Sequence, residues 1–156
     1  MAWYLLDTNV VLRLSNVSDA QHRLVTEAVA QVLEQGHECY LTSQVLIEFW
    51  VVATRPIRVN GLDLSVEQTQ SIIEQLLERF PIVEETAQVF SIWLNLVTEH
   101  QISGKRTHDA RIVAVMLASD VSHILTLNPS DFLGMSGITV VHPNEVMNQQ
   151  QRTNDE

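Results

Sequence analysis

Apolar residues recur in two rhythms along this chain, and the alternation between them predicts the order of its elements. Residues 3–6 form a short apolar run ending in Asp7-Thr8-Asn9, the pattern of a buried strand opening onto a loop. Residues 10–14 then read as a short helix. Ser18, with Gln21 three residues on, has capping-box spacing and predicts a helix carrying Leu24, Val25, Ala28, Val32 and Leu33, stopped by Gly36. Residues 38–42 suit a second strand, and Ser43 is placed to cap a helix over 44–54 that Pro56 closes. Asn60-Gly61 marks a turn in the loop 55–64. Ser65 with Gln68 repeats the capping-box spacing before a helix through Leu76, Leu77 and Phe80, and Pro81-Ile82-Val83 follows as a brief strand. Residues 86–102 place Val89, Phe90, Trp93, Leu94 and Val97 along one side of a helix. After the loop Ser103-Gly104-Lys105-Arg106 comes a helix over 107–119, then strands at 123–127 and 138–141.

Strands thus alternate with helices almost throughout. That order predicts an α/β fold in three layers, with a central, mainly parallel sheet covered by helices on both faces. No internal repeat is present. The 156 residues suit one domain, taken as 1–147, with 148–156 as a polar tail expected to fray.

Composition narrows the function classes. Hydrophobic residues at 46% and charged residues at 18% are globular proportions. Nine basic residues against nineteen acidic ones give a formal charge of -10, which argues against passive binding along a nucleic-acid backbone. It leaves room for an enzyme whose carboxylates are neutralised by cations. Cys39 stands alone in an apolar run and reads as a buried, inert thiol. No two of the six histidines fall three or four apart, so no zinc-helix spacing exists. The opening Met1-Ala2-Trp3-Tyr4-Leu5-Leu6 lacks the charged start of a secretory signal, and no apolar stretch is long enough for a bilayer. A cytoplasmic location is the expectation.

Three acids stand where burying a charge is expensive. Asp7 closes the first strand, at the edge where parallel sheets bind ligands; the ordinary alternative is a helix cap. Glu48 lies inside Val45-Leu46-Ile47-Glu48-Phe49-Trp50-Val51-Val52, a helix apolar nearly all round and therefore expected to be buried. An unpaired buried carboxylate costs several kcal/mol, so Glu48 needs either an arginine or a cation. Asp109 shares a helical stripe with Ile112, Val113 and Met116, although an acid near a helix N-terminus can simply complement the dipole. Asn128 occupies the same sheet edge as Asp7 in Thr126-Leu127-Asn128-Pro129-Ser130-Asp131-Phe132, where turn chemistry before proline is the ordinary account, favoured for Asp131.

Taken in order, Leu5-Leu6-Asp7-Thr8-Asn9-Val10, a lone Glu in an apolar helix, His108-Asp109-Ala110-Arg111-Ile112-Val113-Ala114 and Ile124-Leu125-Thr126-Leu127-Asn128-Pro129-Ser130-Asp131-Phe132 resemble the PIN-domain family, in particular its VapC-type ribonuclease toxins. The resemblance spans about residues 3 to 143. It implies an Mg²⁺- or Mn²⁺-dependent endoribonuclease with Asp7, Glu48 and Asp109 as metal ligands and Asn128 at the fourth, usually acidic, position. Thr8, Asn9 and Thr126 fall beside the ligands as candidates to orient them. Of the basic residues, Arg55, Arg58, Lys105 and Arg106 are candidates to hold RNA, with Arg13 and Arg111 nearby. The resemblance further implies a homodimer inhibited by a small antitoxin, with the helix around Trp93 and the residues near Trp50 and Val51 as contact surfaces.

Two other readings compete. A HAD-type phosphatase also starts from an Asp after the first strand, but Asn9 stands where its second Asp belongs. A PIN-like scaffold that only binds RNA or protein would not need Asp7 and Asp109 together. None of the five glycines forms a phosphate-binding loop.

Overall fold

The computed structural model describes all residues, Met1–Glu156. Its elements run β1 (Trp3–Leu6), α1 (Thr8–Leu14), α2 (His22–Glu34), β2 (Glu38–Tyr40), α3 (Ser43–Thr54), α4 (Val66–Arg79), α5 (Val89–Glu99), α6 (Arg106–Ala118), β3 (His123–Leu125), β4 (Thr139–Val141) and α7 (Pro143–Asn154), with 3-10 turns at Ile57–Val59 and Pro129–Phe132. The four strands are all parallel, in the order β2-β1-β3-β4. Seven helices flank this sheet, as the α/β alternation predicts. α5 packs on α6, while α7, α2, α1, α3 and α4 make a continuous series of contacts.

β1 is central because both its faces and both its edges are used. Leu5 and Leu6 are fully buried, as are Ile124 and Leu125 beside them. The chain leaves β1 toward β2 on one side and returns to β3 on the other. At such a reversal the connections part, and a crevice opens beyond the carboxyl ends of the strands. Asp7 and Thr126 emerge into it.

Several boundaries differ from the sequence expectations. Pro81-Ile82-Val83 makes only a single parallel bridge, Ile82 to Leu41, in place of a fifth strand. The Ser18 capping box does not form: Asp19 Oδ1 accepts from the Gln21 amide at 2.8 Å, and this local turn delays α2 until His22. Thr42, and not Ser43, caps α3, its hydroxyl accepting from the Val45 amide at 3.2 Å. The helix expected from residue 86 starts at Val89. The stretch expected to fray carries α7 on to Asn154. By contrast, the Ser65–Gln68 capping box closes in both directions, at 3.0 and 2.9 Å, and Gly36 ends α2 at a φ of 86° that a side chain would strain.

Candidate active site

Only Asp7 separates β1 from α1. Its amide still donates to Leu125 O at 3.0 Å, so the residue belongs to the sheet even as it starts the helix. Asp7 Oδ1 accepts from the Thr8 amide at 2.8 Å, which caps α1. Oδ2 accepts from the Thr126 hydroxyl at 2.8 Å and the Asn9 amide group at 3.2 Å. The Thr126 hydroxyl in turn accepts from Asn9 Nδ2 and from the Asn128 amide, filling its one donor and two acceptor places. Asn9 Oδ1 takes the Leu127 amide at 2.9 Å. Asn9 and Thr126 therefore tie the ends of β1 and β3 together around one buried carboxylate, and Thr8 links that carboxylate to Glu48.

Glu48 arrives from α3. Its Oε2 accepts from the Thr8 hydroxyl at 2.6 Å and its Oε1 from Gln44 Nε2 at 3.1 Å. Arg111, the arginine that lines the same groove, is engaged elsewhere: it forms a salt bridge to Glu85 at 2.7 Å. The arginine-paired account of Glu48 is thus set aside. The expectation that α3 is buried on every side is corrected too. Glu48 is half-buried, and the helix leaves Ile47 64% and Val51 55% exposed.

Asp109 enters from the first turn of α6, half-buried, and Asp131 from the 3-10 turn after β3. Burial is the main force pushing the Asp7 carboxyl up to about 6; hydrogen bonds from Thr126 and Thr8 oppose it, and the charges of Glu48 and Asp131 add to it. Asp109 is pushed up to about 7, first by burial, then by the charges of Asp131, Asp7 and Glu48, with Arg106 opposing. The charges of Glu48 and Asp131 act on both Asp7 and Asp109, and that of Asp7 acts on Asp109. Acids 102 residues apart in the chain, Asp7 and Asp109, meet at one sheet edge.

Asp131 is the member that sequence reasoning assigned to turn chemistry. The usable signal was its neighbour Phe132, which is 2% exposed and anchors the turn that brings Asp131 to the other acids. Asn128, expected in the fourth acidic place, is exposed; its backbone N–H donates to Thr126, and its side chain makes no hydrogen bond with the acids.

A model of the PIN domain matches residues 4–133. The chain belongs to the PIN-domain family. Curated protein sequences return no match. Among solved structures, this PIN domain is similar to VapBC2 from Rickettsia felis bound to a promoter DNA fragment, with a TM-score of 0.66 and 21% identity over 90% of this chain and 98% of that one. It is similar to DNA-bound VapBC from Salmonella typhimurium, with a TM-score of 0.67 and 18% identity over 92% and 99% of the two chains. It also resembles Mycobacterium tuberculosis VapC20, described as a Sarcin-Ricin loop cleaving toxin, with a TM-score of 0.55 and 16% identity over 78% and 86%. These likenesses establish the fold.

The basic residues of the PIN domain lie on separate elements. Arg106 lies at the acids: it opposes the shift of Asp109 and donates to the carbonyls of Asp131, at 3.4 Å, and Leu133. Lys105 is exposed beside it. Arg13 reaches Asp19 at 3.8 Å and the Asn9 carbonyl at 3.4 Å. Arg55 sits about 10 Å farther along α3 than Glu48, by helix rise, where it donates to Asn60 O at 3.1 Å. Arg58 is exposed in the following 3-10 turn. That pair belongs to the far end of α3, where Gly61 is required because a Cβ would lie 1.8 Å from the Arg55 carbonyl oxygen.

No helix is long and apolar enough to cross a membrane. No three carboxylates converge on one point. Open sets of hard oxygens nevertheless suit Mg²⁺, which binds through one or two carboxylates and keeps several waters. Asp7, Glu48, Asp109 and Asp131 compose such a set. A nearby cation favours ionisation of acids that burial and mutual repulsion have pushed up.

Proposed function

We propose that the chain is an Mg²⁺- or Mn²⁺-dependent endoribonuclease and the toxin of a toxin–antitoxin pair. The observation that carries this reading is the buried Asp7 at the carboxyl end of β1, joined to Glu48 through Thr8, with Asp109 and Asp131 near enough for charge to act between them and it. Burial and neighbouring charge both oppose the ionisation of Asp7 and Asp109, and a cation at the crevice would offset that cost.

Asp7, Glu48 and Asp109 would hold the ion, with Asp131 as a fourth acid. A divalent ion there supplies positive charge at a phosphodiester oxygen and lowers the pKa of a bound water. The chain's own residues set the geometry: Thr126 and Asn9 immobilise Asp7, and Thr8 fixes one oxygen of Glu48. Arg106 and Lys105, beside Asp109, are positioned to attract the backbone of a single RNA strand despite the net charge of -10. The VapBC complexes that share the fold support an antitoxin partner, and a homodimer is part of the same proposal. Exposed Phe90 and Leu94 on α5 and Ile47 and Val51 on α3 supply apolar surface for such contacts.

The test is purified protein on a mixed RNA pool with Mg²⁺, Mn²⁺ or chelator, beside an Asp7→Asn control. Cleavage that needs the metal and disappears in the control supports the reading. Cleavage in chelator, or full activity of the control, overturns it.

A further inference from the structure

Glu48 differs from the other acids of the crevice in how it is held. It projects from a half-exposed helix on a side chain with three rotatable bonds, yet both of its oxygens are engaged. Thr8 fixes Oε2 at 2.6 Å, and Gln44, one turn earlier on α3, fixes Oε1 at 3.1 Å. Gln44 Nε2 also donates to the His108 carbonyl at 2.8 Å, next to Asp109. Its Oε1 accepts from Arg111 at 3.0 Å. Arg111 is itself gripped by Glu85 through two bonds, at 2.7 and 3.3 Å.

The chemistry of these groups allows one orientation of the Gln44 amide. An arginine has only donors, while a carboxylate and a backbone carbonyl have only acceptors. With its oxygen toward Arg111 and its nitrogen toward Glu48 and His108 O, the amide satisfies all three neighbours. Turned over, it would set oxygen against two acceptors and N–H against a donor. Arg111 therefore acts on Glu48 through the amide, without lending its charge. Glu85 supplies the counter-charge that keeps the guanidinium occupied, so Glu48 stays available to a cation.

We propose that Gln44 is a positioning residue for Glu48, locked in its donating orientation by the Arg111–Glu85 pair. The network spans three elements: α3, α6 and the segment before α5. It makes the direction of the Glu48 carboxylate a property of the fold, and not of side-chain chance. Groups that orient metal ligands in this way commonly contribute about 10- to 100-fold to metal affinity or activity. The inference rests on the cation-site reading above and extends it to residues outside the acids.

The experiment is Mn²⁺ binding by calorimetry to the full chain, comparing wild type with Gln44→Met, Arg111→Lys and, as a surface control, Gln70→Met. Methionine keeps the length of Gln44 and removes its hydrogen bonds. The expected result is Mn²⁺ affinity weakened about 10-fold or more in Gln44→Met and about 3- to 10-fold in Arg111→Lys, with Gln70→Met unchanged. In RNA cleavage, kcat should fall with KM held within about twofold, and the thermal midpoint should stay near the wild-type value. Wild-type affinity for Mn²⁺ in both Gln44→Met and Arg111→Lys overturns the positioning role and leaves the site reading intact. If Gln44→Met does not fold, Arg111→Lys decides alone. No Mn²⁺ binding by the wild type itself removes the site reading, and this inference with it.

Discussion

The two walls of the crevice are built on opposite plans. On the β1–α1–α3 wall, Asp7 and Glu48 are hydrogen-bonded at both oxygens, by Thr8, Asn9, Thr126 and Gln44. On the α6 wall, the forces on Asp109 are burial and charge alone: Asp131, Asp7 and Glu48 repel it and Arg106 attracts it, with no hydrogen bond taking part. Both walls raise an aspartate, one to about 6 and one to about 7. The difference teaches that placement and charge are managed separately. The first wall spends its donors on geometry, while the second remains free to respond to whatever charge enters the crevice.

Removing either wall's acid is the largest break. Asp7→Asn and Asp109→Asn should each lower RNA cleavage on the order of 100-fold or more, since several kcal/mol of transition-state charge stabilisation is at stake. Single-turnover cleavage in Mg²⁺ checks this.

The same Asp7→Asn variant should be more stable than wild type in chelator at pH 8, by on the order of 1–3 kcal/mol. The sign follows from linkage. Asp7 moves from an ordinary 3.8 to about 6 on folding, so between those values the folded chain holds more protons than the unfolded chain. Its contribution is complete below pH 3.8 and is lost as pH rises toward 6. Urea melts of both proteins from pH 4 to 8 should coincide in acid and separate above pH 6, and Mn²⁺ should narrow the gap. Curves that stay parallel would show that Asp7 ionises without strain.

Thr8→Val takes one donor from Glu48 and none from Asp109. Cleavage should fall about 10-fold, consistent with about 1.5 kcal/mol for a hydrogen bond to a charged group, with the thermal midpoint lowered only slightly. Asp131→Asn probes the other wall. Asp131 is the foremost charge raising Asp109 but a minor one on Asp7. Carboxyl titration by NMR should therefore show Asp109 moving down farther than Asp7. The smallest effect concerns the cations: Lys105→Gln with Arg106→Gln should weaken RNA retention about fivefold at moderate salt. Arg55→Gln with Arg58→Gln should leave it within about twofold. An equal loss in both pairs would show that Arg55 and Arg58 also hold RNA, as expected from the sequence.

Much of the fold could be read from the chain because apolar periodicity reports which face of an element is covered. The run before Asp7 is of this kind; the stripe on α5 is so only in part, since Val89, Trp93 and Val97 are covered while Phe90 and Leu94 stand exposed. Local competition was harder to read. Ser18 and Asp19 both suit a helix start, and the choice fell to a turn closed by Asp19. Glu48 was recognisable as an acid among apolar residues, but the exposure of Ile47 and Val51 was not, because pattern alone does not distinguish a core face from a bare one. Asp131 and Glu85 were missed for a related reason. Each matters through partners 22 to 26 residues away, Asp109 and Arg111, and no spacing within one element records that distance.

The one-residue junction between β1 and α1 has a consequence for how this site can change. Asp7 is at once the last rung of the ladder, through its amide to Leu125, and the first acceptor of the helix. Inserting a residue there would shift the helix against the strand by a pleat and turn the carboxylate toward the opposite face. Evolution and engineering alike can redecorate the mouth of the crevice, but this acid is surveyed into place by the covalent chain itself, leaving no slack in which it could drift.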